Sequence, residues 1–410
     1  MLAKLKQNQD ARTSTDWGRV FLFFAGGVVA AFQVGKAPPV LPLLRIELGL
    51  SLVMAGWVLS ATGILGAFTA PGVGAISDWL GHRRMMCFGL ACSALGSFAG
   101  SFATTSVVLL GSRFLEGIGY ILTAVSAPVL ILQVTRKSDE RIAFGVWGSF
   151  FPMGASTMML LAPFLVDFFG WRGLWRINAV LPFTFAILLA LATRGLDSRV
   201  TRRRNPLKNL VKDIWLTLKT PGPLLLGLCF AAYGFQFVVV TGFLPTLLIE
   251  EHGVTPAMAA ILSAFVVAMN VPGNLVGGGL LQKGLKRWHL VAGPNLITGL
   301  CCFGIYKSGM PLPYAYLLCL VFSGIGGIFP AAALHGAAVN APTPELVATS
   351  QGLLLQGAQL GLLTGPPIAA TVVSRTGDWQ SASWVLMAVA LIVVALSFVL
   401  GTVERRRGIE

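Results

Sequence analysis

Acidic residues are scarce. Asp and Glu number 16 among 410 residues against 30 Lys and Arg, and charged residues together make up only 11%. A soluble chain carries about a quarter charged residues, so a water-soluble globular protein is excluded. Histidine is scarcer still, with four residues and no H-E-x-x-H pair, which leaves no zinc-hydrolase pattern. The six cysteines (87, 92, 229, 301, 302 and 319) lack metal-ligand spacing and all fall in apolar runs. They read as buried free thiols, not as a disulfide frame. Also missing are the period-two alternation of a membrane barrel, a nucleophile–base constellation, a nucleotide loop in a βαβ setting and a short re-entrant filter segment. The chain is therefore not expected to be an enzyme or a passive channel, and it calls for no cofactor and no metal.

Apolar sequence is abundant instead: 55% hydrophobic residues, 48 glycines and a mean hydropathy of +0.77. Repeated runs near 20 residues match a bilayer core of about 30 Å at about 1.5 Å per helical residue. Spans are predicted at 17–44, 51–77, 84–103, 105–133, 143–169, 173–193, 223–249, 257–281, 289–307, 314–338, 349–374 and 381–402. The fold class is an all-α polytopic membrane protein with 12 transmembrane helices. With both termini inside, only Arg45, Arg172, Arg176, Lys307 and Arg375 fall at or beyond the outer ends of the spans, and Lys36 and Arg113 fall well within spans. All other cationic residues lie at or beyond the cytoplasmic ends of the spans, the positive-inside pattern. The net charge of +14 thus sets orientation and gives no reason to expect a nucleic-acid partner. The expected location is the cell membrane, multi-pass, with both termini cytoplasmic. "MLAKLKQNQDARTSTD" is polar and does not read as a cleaved signal peptide.

Residues 194–222 form the one long hydrophilic interruption, with six spans on each side. The expected organisation is a tail (1–16), a six-helix bundle (17–193), a cytoplasmic central loop (194–222), a second six-helix bundle (223–402) and a tail (403–410). The halves repeat each other: "LPLLRIELGLS" at 41–51 is answered by "LPTLLIEEHGVT" at 244–255. Ser51 and Thr255 then read as N-caps, the latter with Pro256 at the first helical position. Gly74-x-x-x-Asp78 is matched by Gly278-x-x-x-Gln282, followed by Lys286 and Arg287. A duplicated bundle with pseudo-two-fold symmetry places a cavity between its halves near the bilayer midplane and suits alternating access.

"GAISDWLGHRR" (74–84) resembles the loop 2–3 signature of the major facilitator superfamily. Gly74, Asp78, Gly81, Arg83 and Arg84 match, and Trp79 stands where the family has Arg. "RFLEGIGY" (113–120) resembles its fourth-helix motif, with Arg113, Gly117 and Gly119 in place. "FFGWRGLWRINA" (168–179) resembles the segment leading into helix 6, with Trp175 replacing Phe. "GSFFPMGASTMM" lacks the Gly-Pro and Gly-Gly of drug/proton antiporters, whereas "GKAPPVLPLLRIELGLS" and "GVWGSFFPMGAS" are similar to the cyanate and nitroimidazole permease-like branch. The resemblance implies the superfamily fold and a secondary transporter. It further implies that Asp78 docks near the N-terminus of helix 11, around Thr349, where the helix dipole favours an anion. Gly74, Asp78, Gly81, Arg83 and Arg84 would then form a gate, charged on one side only because Gln282 replaces Asp78 in the second copy. The arginine matching Arg113 is implicated in the family in proton coupling.

A charge at bilayer depth costs about 2.5–3.5 kcal/mol on insertion scales, so it must face protein or a wet cavity. Lys36 lies about 13 Å of helix from Arg45. It reads either as an anion-binding cation in the outer half of the cavity, with Gln33 and Phe32 beside it, or as a lysine snorkelling to the interface. "APPVLP" interrupts backbone bonding just beyond it. Arg113 and Glu116, spaced i,i+3, can pair about 13 and 18 Å into their span. Their alternatives are a fixed packing pair or a proton site, because burial favours the neutral carboxyl and a guanidinium the ionised one. Asp167, at the external end of the fifth span, reads as an interfacial residue or as an alternative proton site. His335 reads as a packing residue, a substrate ligand or a second proton carrier. Tyr233, Gln236, Phe237 and Thr241 recur near helical spacing as a wall opposite helix 1. Gln356, Gln359, Asn270 and Asn274 read as hydrogen-bonding groups or as helix–helix glue.

The reading is a monomeric secondary active transporter coupling protons to a small organic or inorganic anion. The substrate-binding candidates are Lys36, Gln33, Phe32, Arg113, Tyr233, Gln236, His335 and Gln356, and the proton-coupling candidates are Glu116 and Arg113. The alternative is a proton-driven exporter of amphipathic compounds or drugs.

Overall fold

The computed structural model describes residues 14–194, 206–343 and 346–408, without the side chains at 75, 78, 79, 140, 141, 144, 206–209 and 348. Every regular element among the described residues is helical. Helices α1 (Trp17–Gly35) and α2 (Ala37–Glu47) form the first crossing, broken at Lys36 itself and not beyond it. The reason is that Pro38 lies in the first turn of α2, where a missing N–H costs least. The second crossing joins α3 (Leu52–Ser60) to α4 (Ile64–Leu80) through a 3-10 turn at Ala61–Gly63. Ser51 caps α3 by accepting from the Met54 amide at 3.2 Å, as its sequence position suggests. The third and fourth crossings are α5 (His82–Gly100) and α6 (Ser106–Val134).

A short α7 (Glu140–Gly148) leads into α8 (Phe150–Ala192), 43 residues that hold the fifth and sixth spans. The chain reverses there at Gly170 alone, with φ 66 and ψ 174, where the expected layout had a short loop. Only glycine reaches that backbone region at no cost. The "GAISDWLGHRR" tract is also less of a loop than expected: α4 runs to Leu80, α5 starts at His82, and Gly81 (φ 96) makes the whole turn.

The second half comprises α9 (Pro206–Lys219), α10 (Pro221–Glu250), α11 (Pro256–Ala268), α12 (Asn270–Gln282) and α13 (Arg287–Ile305), then α14 (Leu312–Gly326), α15 (Ile328–Val339), α16 (Val347–Thr376) and α17 (Gln380–Arg406). Pairs α11/α12 and α14/α15 each make one broken crossing. Helix α9 lies inside the stretch expected to be a plain loop; it packs on the end of α4 and exposes Val211 and Trp215. Residues 195–205 of that stretch lie outside the described residues. Helix α17 runs past 402 to Arg406, so part of the expected tail is helical.

Nine described stretches are long and apolar enough to span a membrane on their own. The crossing in α8 doubles one of them, and α5 and α16 complete the twelve. Those two are richer in Gly, Ser and Gln than the rest and pass through packed surroundings, α5 between α6 and α8, α16 against α3, α4 and α10. Polar residues are tolerated in such helices because the neighbours, not lipid, receive them.

The halves meet along α16 against α3 and α4, α8 against α11, and α2 against α10. On the face opposite the chain ends, a Trp–Glu clasp occurs twice. The Trp171 indole donates to Glu47 at 2.7 Å and the Trp379 indole to Glu250 at 3.3 Å. Arg172 completes the first clasp within its own half, 3.0 Å from Glu47. The second is completed from across the molecule, by Arg45 of the first half at 2.6 Å from Glu250.

Candidate functional site

The break at Lys36 directs its side chain into the first half. The ammonium donates to Glu116 Oε1, Gln33 Oε1 and Ser97 Oγ, each at 2.7 Å. It also lies 4.5 Å from the centre of the Trp175 ring, a cation–π contact made by the residue that departs from the family motif. Arg113 holds the other carboxylate oxygen: its Nη1 pairs with Glu116 Oε2 and donates to the carbonyl of Gln33, and its Nε donates to the carbonyl of Val58 at 3.1 Å. Its Nη2 has no partner among the described residues. Gln33 bridges onward, donating to the carbonyl of Asn178 at 3.1 Å.

Lys36, Arg113, Glu116, Gln33 and Ser97 are all at 0% exposure. Two cations therefore share one carboxylate in a dry setting. Removing charges from water costs several kcal/mol each, repaid only by close pairing and hydrogen bonds. The approach that allows this rests on Gly96, where a Cβ would stand 2.8 Å from Glu116.

This geometry corrects the placement of Lys36. It does not snorkel, since its ammonium is enclosed, and it does not face the cavity between the halves, since Glu116 has captured it. That cavity is narrow and almost wholly apolar. Val34 and Leu59 line it from the first two spans, Phe151 and Met159 from α8, and Phe237 and Thr241 from α10. Arg113 donates to the carbonyls of Gln33 and Val58, the residues that precede Val34 and Leu59 in the chain, and does not itself line the cavity.

The other candidates are dispersed. Phe32 packs with Val29, Leu90 and Ala186 inside the first half and does not line the cavity. Tyr233 accepts from Asn270 at 2.9 Å. Gln236 donates to the carbonyl of Leu386 at 2.9 Å and accepts from Thr298 at 3.1 Å, so it ties helices of the second half together. Gln356 donates to the carbonyl of Ala67 at 2.9 Å, joining α16 to α4 across the halves. His335 lies 3.1 Å from Arg287, which pairs with Glu404. Asn340 adds a bond to Glu404 at 2.6 Å. Asp167 is exposed.

Of the loop tract, Arg83 donates to Thr193 at 2.8 Å and to the carbonyl of Ala190, at the C-terminal end of the sixth span where a cation is favoured. Arg84 is exposed, and a Cβ at Gly74 would meet only Val125 at ordinary distance. The side chain of Asp78, and with it the docking expected near Thr349, lies outside the described residues.

Two groups escaped the sequence reading. Ser97 belongs to a Ser93–Ser97–Ser101 ladder at i,i+4, a buried stripe visible as such in the sequence. Glu404 is a second deeply buried acid, at 1% exposure, so Glu116 is not alone. Its place in "VERRR" gives it the look of a solvated tail.

Twelve helical crossings, duplicated as two sets of six around a central cavity, define a polytopic membrane transport protein. The model of the Major Facilitator Superfamily matches residues 23–355, and the chain belongs to that family. A Bacillus subtilis (strain 168) protein provisionally named a niacin/nicotinamide transporter is 21% identical over 394 residues, covering 94% of this chain and 96% of that one. The puromycin resistance protein of Streptomyces alboniger is 26% identical over 303 residues, 73% of this chain and 55% of that one. A solved bacterial homolog of the human lysosomal transporter Spinster, inward-facing and unoccupied, superposes with a TM-score of 0.78 at 15% identity, over 94% of this chain and 97% of that one. This last likeness concerns the fold.

Proposed function

We propose that the protein is a secondary active transporter that works by alternating access and couples protons to a small anion. The observation that carries this reading is the buried set Lys36, Arg113 and Glu116, two cations to one carboxylate at 0% exposure. The set is one negative charge short. An anionic substrate drawn to Arg113 supplies it, and protonation of Glu116 neutralises the carboxylate whenever a cation moves off it. Lys36 then acts through Glu116, releasing or reclaiming it as the substrate binds.

In this reading residues 17–193 and 223–402 rock against each other, and the face that carries the chain ends is cytoplasmic. Gly74, Asp78, Gly81, Arg83 and Arg84 gate that face, and Arg45–Glu250 closes the other. In proteoliposomes, transport of a small carboxylate or inorganic anion is expected to follow an imposed pH gradient and to lose that dependence in Glu116→Gln. Transport insensitive both to the gradient and to this substitution would overturn the proton role.

A second reading, export of amphipathic compounds, is favoured by the apolar cavity lining and by the resistance protein among the relatives. It is separated from the first by Lys36→Ala: an exporter of uncharged amphiphiles keeps its activity, and an anion transporter loses most of it.

A further inference from the structure

Helix α9 (Pro206–Lys219) joins the sixth crossing to the seventh. After an even number of crossings the chain is back on the face that carries its ends, so α9 lies on that face. It packs against α4 of the first half and against α10 and α16 of the second, across the ends of three crossings. Leu210, Ile214 and Leu218 recur at helical spacing and are half-buried, and Thr217 beside them is buried, so this side of the helix meets the protein.

The other side is uncovered. Val211 is 75% exposed, Trp215 59% and Leu216 44%, and Lys212 and Lys219 are exposed with them. The ammonium of Lys219 stands over the Trp215 ring, 5.0 Å from its centre. Lipid covers such apolar groups along the crossings, but α9 has only 14 residues and four of them are charged, so it is no crossing itself. At about 100° per residue the five side chains share one sector of the helix in the order Val211, Trp215, Lys219, Lys212, Leu216. Apolar groups hold both edges and the cations lie between them. Asp213, the one acid of the helix, falls outside the sector.

This mixture decides what covers the face. A groove on a partner protein takes a continuous apolar stripe, and it would bury both ammonium groups at a cost that only paired acids repay. A layer of lipid headgroups receives both kinds of group: the indole and the lysine stems settle at the acyl boundary, and the ammonium groups reach the phosphates. Charge then selects the headgroup. Residues 194–219 hold eight Lys and Arg against two Asp, and such a cluster on an amphipathic helix attracts anionic lipid. Orientation of the chain asks for the cations alone and gives no reason to interleave them with exposed Trp and Val.

We propose that the exposed face of α9 is a docking surface for anionic phospholipid, with Trp215 at the acyl boundary and Lys212 and Lys219 on the headgroups. The inference stands apart from the coupling and substrate readings above. Because α9 touches both halves, the bound headgroups lie at their seam.

The test reconstitutes the full-length protein into vesicles of phosphatidylcholine and phosphatidylglycerol mixed four to one, with the acyl chains of one lipid or the other brominated. Quenching of Trp215 is read as the difference between the native protein and Trp215→Phe. Brominated phosphatidylglycerol is expected to quench Trp215 more strongly than brominated phosphatidylcholine at equal mole fraction, with a preference of about fivefold per lysine. High salt is expected to weaken that preference. Lys212→Gln combined with Lys219→Gln is expected to abolish it while quenching by phosphatidylcholine persists. Lys212→Gln alone, with an expected loss of about fivefold, serves should the double variant fail to fold. Equal quenching by the two lipids in the native protein overturns the proposal, as does a preference that survives the loss of both lysines. Absence of quenching by either lipid puts the face against another segment of this chain, a partner protein or solvent, and overturns it as well.

Discussion

Gln33 and Gln236 occupy the same place in the two halves. The repeat that pairs Pro42 with Pro245 and Glu47 with Glu250 also pairs these glutamines. Gln33 donates to the carbonyl of Asn178 and accepts from Ser97; Gln236 donates to the carbonyl of Leu386 and accepts from Thr298. Asn178 follows Trp171 as Leu386 follows Trp379, so even the acceptors correspond. The charges do not. Lys36 falls on Val239 in the repeat, and counting from the N-caps Thr105 and Pro311 puts Arg113 and Glu116 on Cys319 and Phe322. All three counterparts are buried and uncharged. A six-helix bundle of this kind is therefore held by the glutamine bridge and its packing, and a Lys–Glu–Arg set is no requirement of the frame. At these positions the first half carries an expense that the second avoids. The second half's own buried pair, Arg287–Glu404, joins instead the start of α13 to the end of α17. That difference is the physical argument for reading Lys36, Arg113 and Glu116 as functional.

The strongest test of that contrast makes the first half resemble the second. Replacing a buried ion set by apolar groups of similar size is often neutral or stabilising, by up to about 4 kcal/mol, whereas removing one partner costs about 3–5 kcal/mol. The triple variant Lys36→Met, Arg113→Met, Glu116→Leu is thus expected to keep its melting temperature and lose transport, while Glu116→Leu alone melts well below the native protein. A triple variant that still transports would reduce the charges to packing.

Smaller effects are expected at the bridges. Gln33→Leu and Gln236→Leu each strand buried groups, at about 1–3 kcal/mol. Both should lower thermal stability by similar amounts, but only Gln33→Leu should also shift the pH profile of transport, because Lys36 and Ser97 lean on it. Equal pH profiles for the two would erase the distinction between halves.

The clasps allow a finer comparison. Arg45 is answered by Leu248 in the repeat, so Arg45→Leu gives both halves the same residue and unties the face opposite the chain ends. The pair is partly exposed, so its loss is worth about 0.2–1 kcal/mol. A shift of up to about fivefold toward the state open on that face is expected by distance measurements between spin labels on α2 and α10.

The smallest effect is at the chain-end face. There the Thr15 hydroxyl, helped by Ser138, bonds Asp139 and holds its carboxyl below the usual range. A depressed carboxyl contributes stability that is present above its unfolded pKa and is lost as pH falls through the folded one. Thr15→Ala should accordingly melt slightly earlier at neutral pH and show no difference from native at strongly acid pH.

Much of the architecture can be read along the chain, because bilayer thickness and helix rise fix the length of an apolar crossing, and charge fixes where crossings end. The duplication, the caps at Ser51 and Thr255 and the pairing of Arg113 with Glu116 one turn away are local matters of that kind, and the structure contains each of them. Single-residue reversals at Gly81 and Gly170 escaped because helix ends depend on backbone conformation at one position, which composition does not weigh.

The partner of Lys36 was beyond local reasoning altogether. Whether its ammonium points to lipid headgroups, to a cavity or to Glu116 depends on how α1, α5, α6 and α8 approach one another. That approach is set by Gly96, by the serine stripe on α5 and by the broad face of Trp175. The same holds for Glu404, whose neighbours in sequence are arginines in a tail but whose neighbour in space is Arg287. Sequence by itself determined the number of crossings, the repeat and the inventory of charges within the membrane. Only the tertiary structure decided which charges meet, because a buried ion's partner is chosen by proximity between helices far apart in the chain.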